Sequence, residues 1–257
     1  MGSPIAEVFV DVAIEVDGLT LSGSLARPSG LTRAPGLVLC HGLPSGPRGA
    51  ATYAATYPEL AERIARDSGW TVLTFNFRGA GGSPGDFSIS AWQRDLQAAV
   101  DLLADREDVS GVWIAGSSLG GSLAICVAAD DERVRGVVTL GAPASLREWV
   151  CEPGQFLEHA RTVGLITDPA FPADREAWEH EVATLDPLDA AKRLAPRPLF
   201  VIHGSDDDVV PLSDARALVD AGGSGAELRV VHAAGHRLRH DPRAVAALLG
   251  WLDRQLP

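Results

Sequence analysis

The stretch Val112-Trp113-Ile114-Ala115-Gly116-Ser117-Ser118-Leu119-Gly120 decides how this chain folds. Its first four residues are apolar and read as a strand, and Ser122 to Ala129 behind it read as a buried helix. A serine between glycines at a sharp strand-to-helix turn is the nucleophile-elbow pattern G-x-S-x-G. Such a turn strains its central residue, and Gly116 and Gly120 suit it because a side chain at either would strike the neighbouring strand or helix. What the strain secures is an exposed Ser118 hydroxyl at a helix N-terminus, where backbone N–H groups and the helix dipole favour developing negative charge.

A serine is a weak nucleophile without a base and a group to orient that base. Late in the chain, the apolar run Leu199-Phe200-Val201-Ile202 leads through His203-Gly204-Ser205 into Asp206-Asp207-Asp208, and Pro211 marks the next helix start. A second strand, Leu228-Arg229-Val230-Val231, ends in His232-Ala233-Ala234-Gly235-His236. Serine, then aspartate, then histidine, each just past a strand end, is the order expected of an α/β-hydrolase triad. Spacing alone leaves Asp206, Asp207 and Asp208 in competition, and likewise His232, His236 and His240.

On these residues the chain resembles the α/β-hydrolase-fold enzymes over nearly its whole length. Leu37-Val38-Leu39-Cys40-His41-Gly42 resembles the family's early strand ending in His-Gly, and Arg78-Gly79-Ala80-Gly81-Gly82-Ser83 resembles its R-G-x-G-x-S loop. His203 to Pro211 fits the pattern H-G-x-x-D-x-x-V-P, which selects Asp207, and Gly235-His236 resembles the G-H of the catalytic histidine. The closer likeness is to bacterial serine esterases and acyl hydrolases with a small cap.

The resemblance implies a mostly parallel central sheet with helices on both faces. It implies that Ser118 attacks an acyl carbonyl, that His236 serves as general base and acid, and that Asp207 orients His236. The oxyanion would sit between the backbone N–H groups of Leu119 and Leu43; Pro44 has none to give. Carboxylic ester hydrolysis is the leading expectation, with no metal and no organic cofactor. An amidase, peptidase or thioesterase would use the same triad, as could a cofactor-free peroxidase or acyltransferase. A non-catalytic binding protein on this fold would usually lack a triad member.

Composition agrees with one globular domain spanning residues 1–257. The chain is 46% hydrophobic and 22% charged, ordinary for a packed protein. A formal net charge of −12 would repel phosphate backbones and anionic membrane surfaces. No segment approaches 18 uninterrupted apolar residues, and the N-terminus has no basic stretch followed by an apolar core. Cys40 and Cys126 lie in apolar contexts, and with Cys151 they suit a reduced, cytoplasmic protein; the expected partner is a small acyl substrate.

Strands and helices alternate along the chain. Val8–Val16 and Leu19–Ala26 read as a hairpin about Asp17-Gly18, with later strands at 37–40, 71–75 and 134–140. Amphipathic helices are expected from about Tyr53 to Arg66 and from Ala91 to Leu103, and a final one carries Val245, Leu248, Leu249 and Leu252. The stretch from about 145 to 185 breaks this rhythm. The resemblance implies that it is a small cap whose aromatics, Trp149, Phe156, Phe171 and Trp178, line the substrate pocket; a crossover helix with a surface excursion is the alternative. A metal face on His232, His236 and His240 is disfavoured because His232 ends a strand and Gly235 interrupts. Pro84 likewise spoils a dinucleotide-loop reading of 79–84.

Overall fold

Each branched-chain run becomes a strand in the computed structural model, which describes residues 8–44, 56–147 and 154–256. The strands are β1 (Val8–Val16), β2 (Leu19–Arg27), β3 (Ala34–Cys40), β4 (Thr71–Phe75), β5 (Val109–Ser117), β6 (Val134–Leu140), β7 (Leu199–Gly204) and β8 (Ala226–Val231). They join in one sheet in the order β1-β2-β4-β3-β5-β6-β7-β8. The hairpin β1–β2 turns at Asp17-Gly18, both with positive φ, and β2 pairs antiparallel with β4. From β4 to β8 every pairing is parallel.

A parallel sheet must be covered on both faces, and alternation along the strands shows that it is. Val38, Leu73, Ile114, Val137 and Val201 face one core; Leu37, Val72, Ala115, Val138 and Ile202 face the other. The second core is closed by α1 (Tyr57–Ser68) through Tyr57, Ala61 and Ile64, and by α8 (Pro242–Asp253) through Leu248, Trp251 and Leu252. The first core is closed by α2 (Ile89–Ala104), α3 (Leu119–Asp130), α6 (Pro187–Leu194) and α7 (Leu212–Gly222). Helix α3 is buried from Leu119 to Ala128, as expected of a helix apolar on every side.

Local chemistry moves some boundaries from those expected. Helix α2 begins at Ile89 because the Ser88 hydroxyl accepts the Ala91 N–H at its start. Helix α1 is described from Tyr57 and runs two residues past Arg66, ending where Gly69 takes up φ 72°. Strand β8 starts at Ala226, two residues early.

Between β6 and α6 lie α4 (Gln155–Thr162) and α5 (Arg175–Thr184). Both lean on the loop after β4. Trp178 donates its indole N–H to the Phe87 carbonyl at 2.9 Å, and Phe87 donates its N–H to the Leu165 carbonyl at 3.0 Å. Glu181 accepts from the Ser90 N–H and hydroxyl. The same loop holds a buried ion pair: Arg78 reaches Asp95 at 2.6 Å and Asp17 of the hairpin turn at 2.8 Å. No helix begins at 79–84; Gly79, Gly81 and Gly82 instead have positive φ in a turn. Among the described residues no helix is long and apolar enough to cross a membrane.

Candidate active site

The carboxyl ends of β3, β5, β6, β7 and β8 converge on Ser118. Its φ is 51° and its ψ −128°, a conformation that L residues rarely adopt. Three backbone bonds hold it there: its N–H donates to the Leu140 carbonyl at 2.9 Å, and its carbonyl accepts from Gly121 and Ser122. The hydroxyl makes no capping bond to the helix. Glycine is required on either side for the anticipated reason. A β-carbon on Gly116 would strike the Gly120 carbonyl, and one on Gly120 would strike the His41 carbonyl.

Strand β3 ends against this elbow. A β-carbon on Gly42 would lie 2.8 Å from Ser118 Cβ and 3.2 Å from the Leu119 nitrogen. Leu43 follows directly, so its backbone enters beside the first turn of α3, whose leading N–H groups have no acceptor within the helix. His41 fixes this corner. Its Nε2 accepts the Phe77 N–H at 3.2 Å, which leaves the proton on Nδ1 to be donated to the Gly42 carbonyl at 2.8 Å. Burial pushes its pKa down to about 4, so the ring is neutral at ordinary pH and acts as a strut.

Asp207, of the three acidic neighbours, is the one that meets a histidine. Its side chain is fully buried; Oδ2 lies 2.9 Å from His236 Nδ1, and Oδ1 accepts the N–H groups of Val209 and Val210. Asp206 instead accepts the Ser205 hydroxyl, and both it and Asp208 are exposed. Burial works against the Asp207 charge, but the bonds from His236, Val210 and Val209 outweigh it and hold the carboxyl below its ordinary range. An ionised Asp207 places the imidazole proton on Nδ1 and turns Nε2 into the acceptor. His203, fully buried, braces the turn: its Nε2 lies 2.9 Å from the Val210 carbonyl oxygen and 3.5 Å from Asp207 Oδ2. Across from it, Gly141 at the end of β6 has φ 66° and packs on the pair.

Ser118 and His236 together line two cavities. One, of about 380 Å³, is walled by Leu43, Pro44, Gln155, Phe156, His159 and Val209. The other, of about 570 Å³, is walled largely by the His236 loop, from Ala234 to Pro242. Of the aromatics expected in the pocket, Phe156 is on its wall. Trp178 is not: it is buried behind Phe156, ring centroids 5.5 Å apart, with its N–H satisfied at Phe87. Phe171 packs on the core and lines neither cavity. Trp149, like Cys151, lies outside the described residues.

Gln155 and His159 line the smaller cavity and Gly141 lies against His236 and Asp207, although nothing singled these three out in the sequence. His232 lies exposed beside Ser205, and among the described residues no group of three His, Cys, Asp or Glu could hold a metal ion. Cys40 and Cys126 are buried and free, with burial raising both thiols to about 12.

Residues 35–172 match the family model described as alpha/beta hydrolase fold. An uncharacterised protein of Mycobacterium tuberculosis is 30% identical over 232 residues, which cover 88% of this chain and 72% of that one. The 2-hydroxymuconate semialdehyde hydrolase of a Pseudomonas species is 28% identical, over 83% of this chain and 85% of its own. Among solved structures, Est1E from Butyrivibrio proteoclasticus superposes with a TM-score of 0.71 at 17% identity, covering 95% of this chain and 96% of that one.

Proposed function

The chain belongs to the α/β-hydrolase fold family, and from that premise we propose that it is a serine hydrolase cleaving carboxylic esters through an acyl-enzyme on Ser118. The observation that carries this reading is the 2.9 Å contact between Asp207 and His236, made on the wall of the cavities that Ser118 also lines.

His236 Nε2 takes the Ser118 proton as Oγ bonds to the carbonyl carbon. The backbone N–H groups of Leu119 and Leu43 receive the oxyanion, a reading supported by the closeness of Gly42 to Ser118 and to the Leu119 nitrogen. As the tetrahedral species collapses, the carbon–oxygen bond to the alcohol breaks and His236 returns the proton to the departing oxygen. Water, deprotonated by His236, then attacks the acyl-enzyme and releases the acid, and Ser118 regains its proton. Asp207 keeps the imidazole in the productive tautomer throughout and stabilises its charged form.

We read the whole chain as one domain in which residues 145–185 form a small cap, a reading supported by the Gln155, Phe156 and His159 side of the smaller cavity. Free, buried Cys40 and Cys126 fit a reducing compartment, so we assign the enzyme to the cytoplasm.

The test is a panel of p-nitrophenyl esters of increasing acyl length, run beside amide and thioester analogues of one acyl group. Oxygen esters should turn over fastest, and Phe156→Ala should shift the preferred acyl length. Faster cleavage of the amide or thioester would replace the ester assignment.

A further inference from the structure

The two cavities flanking Ser118 differ in chemistry, and the difference divides a substrate. The smaller is apolar at Leu43, Pro44, Phe156 and Val209 and adjoins the oxyanion corner. The larger carries Arg237, Arg239 and His240 within one turn after His236, in a chain whose overall charge is −12. Because His236 hands its proton to the departing oxygen, the leaving group must lie on the side of the carbonyl carbon that faces His236. We propose that the larger cavity receives the leaving-group half of the ester and that Arg237 there recognises a carboxylate on the departing alcohol. This rests on the acyl-enzyme reading of Ser118.

The charges on that wall favour an anion. Among the described residues its acidic side chains are Asp208, which is exposed, and Asp241, which already accepts two guanidinium bonds from Arg243. Arg239 is held in place over the Tyr57 ring, 5.2 Å from its centroid, with its Nε 3.4 Å from the Thr56 hydroxyl. The Arg237 side chain is exposed and makes no hydrogen bond or ion pair among the described residues, so its donor fork is open to a ligand. His240 lies below its ordinary pKa through burial and through repulsion from Arg239 and Arg237, and so it adds no charge of its own at neutral pH. A planar guanidinium matches a carboxylate with two parallel N–H···O bonds, a geometry that a neutral amide cannot reproduce. Among the described residues the acyl half offers no such partner, since none of those lining the cavity at Phe156 is an arginine or lysine.

The experiment compares the butyryl ester of 4-hydroxybenzoate with that of 4-hydroxybenzamide, which has nearly the same shape without the charge, and with a glutarate monoester of phenol, whose carboxylate lies in the acyl half. The readout is the ratio of kcat/KM for the carboxylate-bearing leaving group over the amide. That ratio should fall roughly five- to tenfold in Arg237→Gln and further in Arg237→Glu, as loss of a charge-assisted hydrogen bond at a partly open site requires. Arg229→Gln, exposed on β8 outside the cavity, should keep the wild-type ratio. A ratio unchanged by both Arg237 substitutions, in an enzyme that still hydrolyses both esters, overturns this inference and leaves the serine esterase reading standing. An Arg237-dependent preference for the glutarate monoester also overturns it, because the anion would then sit in the acyl half. If none of the esters is cleaved and Ser118 resists fluorophosphonates, the underlying reading fails and this inference with it.

Discussion

Gly141 stands so close to His236 that a β-carbon added to it would come within 3.3 Å of Nδ1, and within the same distance of Asp207 Oδ2. Its φ of 66° disfavours any L side chain as well. Gly141→Ala should therefore strain the backbone and push the His–Asp pair out of line. Displacements of this kind are costly, and kcat/KM should fall roughly 10- to 100-fold. Wild-type kcat/KM in Gly141→Ala would show that the pair has slack.

Ser118 and Ser117 separate the elbow from its neighbour. Ser118→Ala should abolish ester turnover and fluorophosphonate labelling, because no other hydroxyl occupies the strained position. Ser117→Ala should keep much of both, although Ser117 also touches the larger cavity and its hydroxyl is buried without a partner among the described residues. Full turnover by Ser118→Ala would remove the nucleophile assignment.

The acidic turn allows a similar comparison. Asp207→Asn should lower kcat by a factor on the order of 10⁴, by analogy with the orienting aspartate of serine proteases. Asp206→Asn and Asp208→Asn should cost far less, since neither carboxylate reaches His236 and both are exposed. The three kcat values, measured on one ester, decide among the aspartates.

His41 links the proposed oxyanion corner to pH. An unfolded histidine has a pKa of about 6.5, whereas burial pushes that of His41 down to about 4, so between these values the unfolded chain binds the extra proton. Stability from this group is fully present above about pH 6.5 and is lost as pH falls toward about 4, by about 3 kcal/mol in all. Urea midpoints at pH 7 and pH 4.5 should differ more in the wild type than in His41→Gln, a comparison in which other titrating groups cancel. Equal differences would mean that His41 is free to protonate in the fold.

The residues proposed for chemistry were legible because each is a polar group that follows the end of a strand, with a glycine within three residues: Ser118 after β5, Asp207 after β7, His236 after β8. Gly141 was not, since Leu140-Gly141-Ala142-Pro143 carries no titratable group and its role lies in empty space beside His236. Trp178 lies off the cavity wall for a different reason. A tryptophan scattered among charges can wall a pocket or wedge beneath one, and only a partner for its N–H decides; Trp178 found the Phe87 carbonyl and became a wedge. The early start of α2 rests on one hydroxyl, Ser88, whose capping bond no periodicity reports.

Among the described residues strand β8 pairs with β7 alone, and Glu227, Arg229 and Val230 along it face solvent. Ser118, in contrast, is fastened between β3 and β6 in the middle of the sheet. The proposed base thus hangs from an edge strand and the proposed nucleophile from the middle of the sheet. Edge elements open at a lower free energy than the centre of a sheet, so fraying of β8 would carry His236 away from Asp207 while the elbow stays intact. Under mild denaturant the protein would pass through a folded but silent form. Turnover would vanish before far-UV ellipticity, and dilution would restore it without refolding of the central sheet.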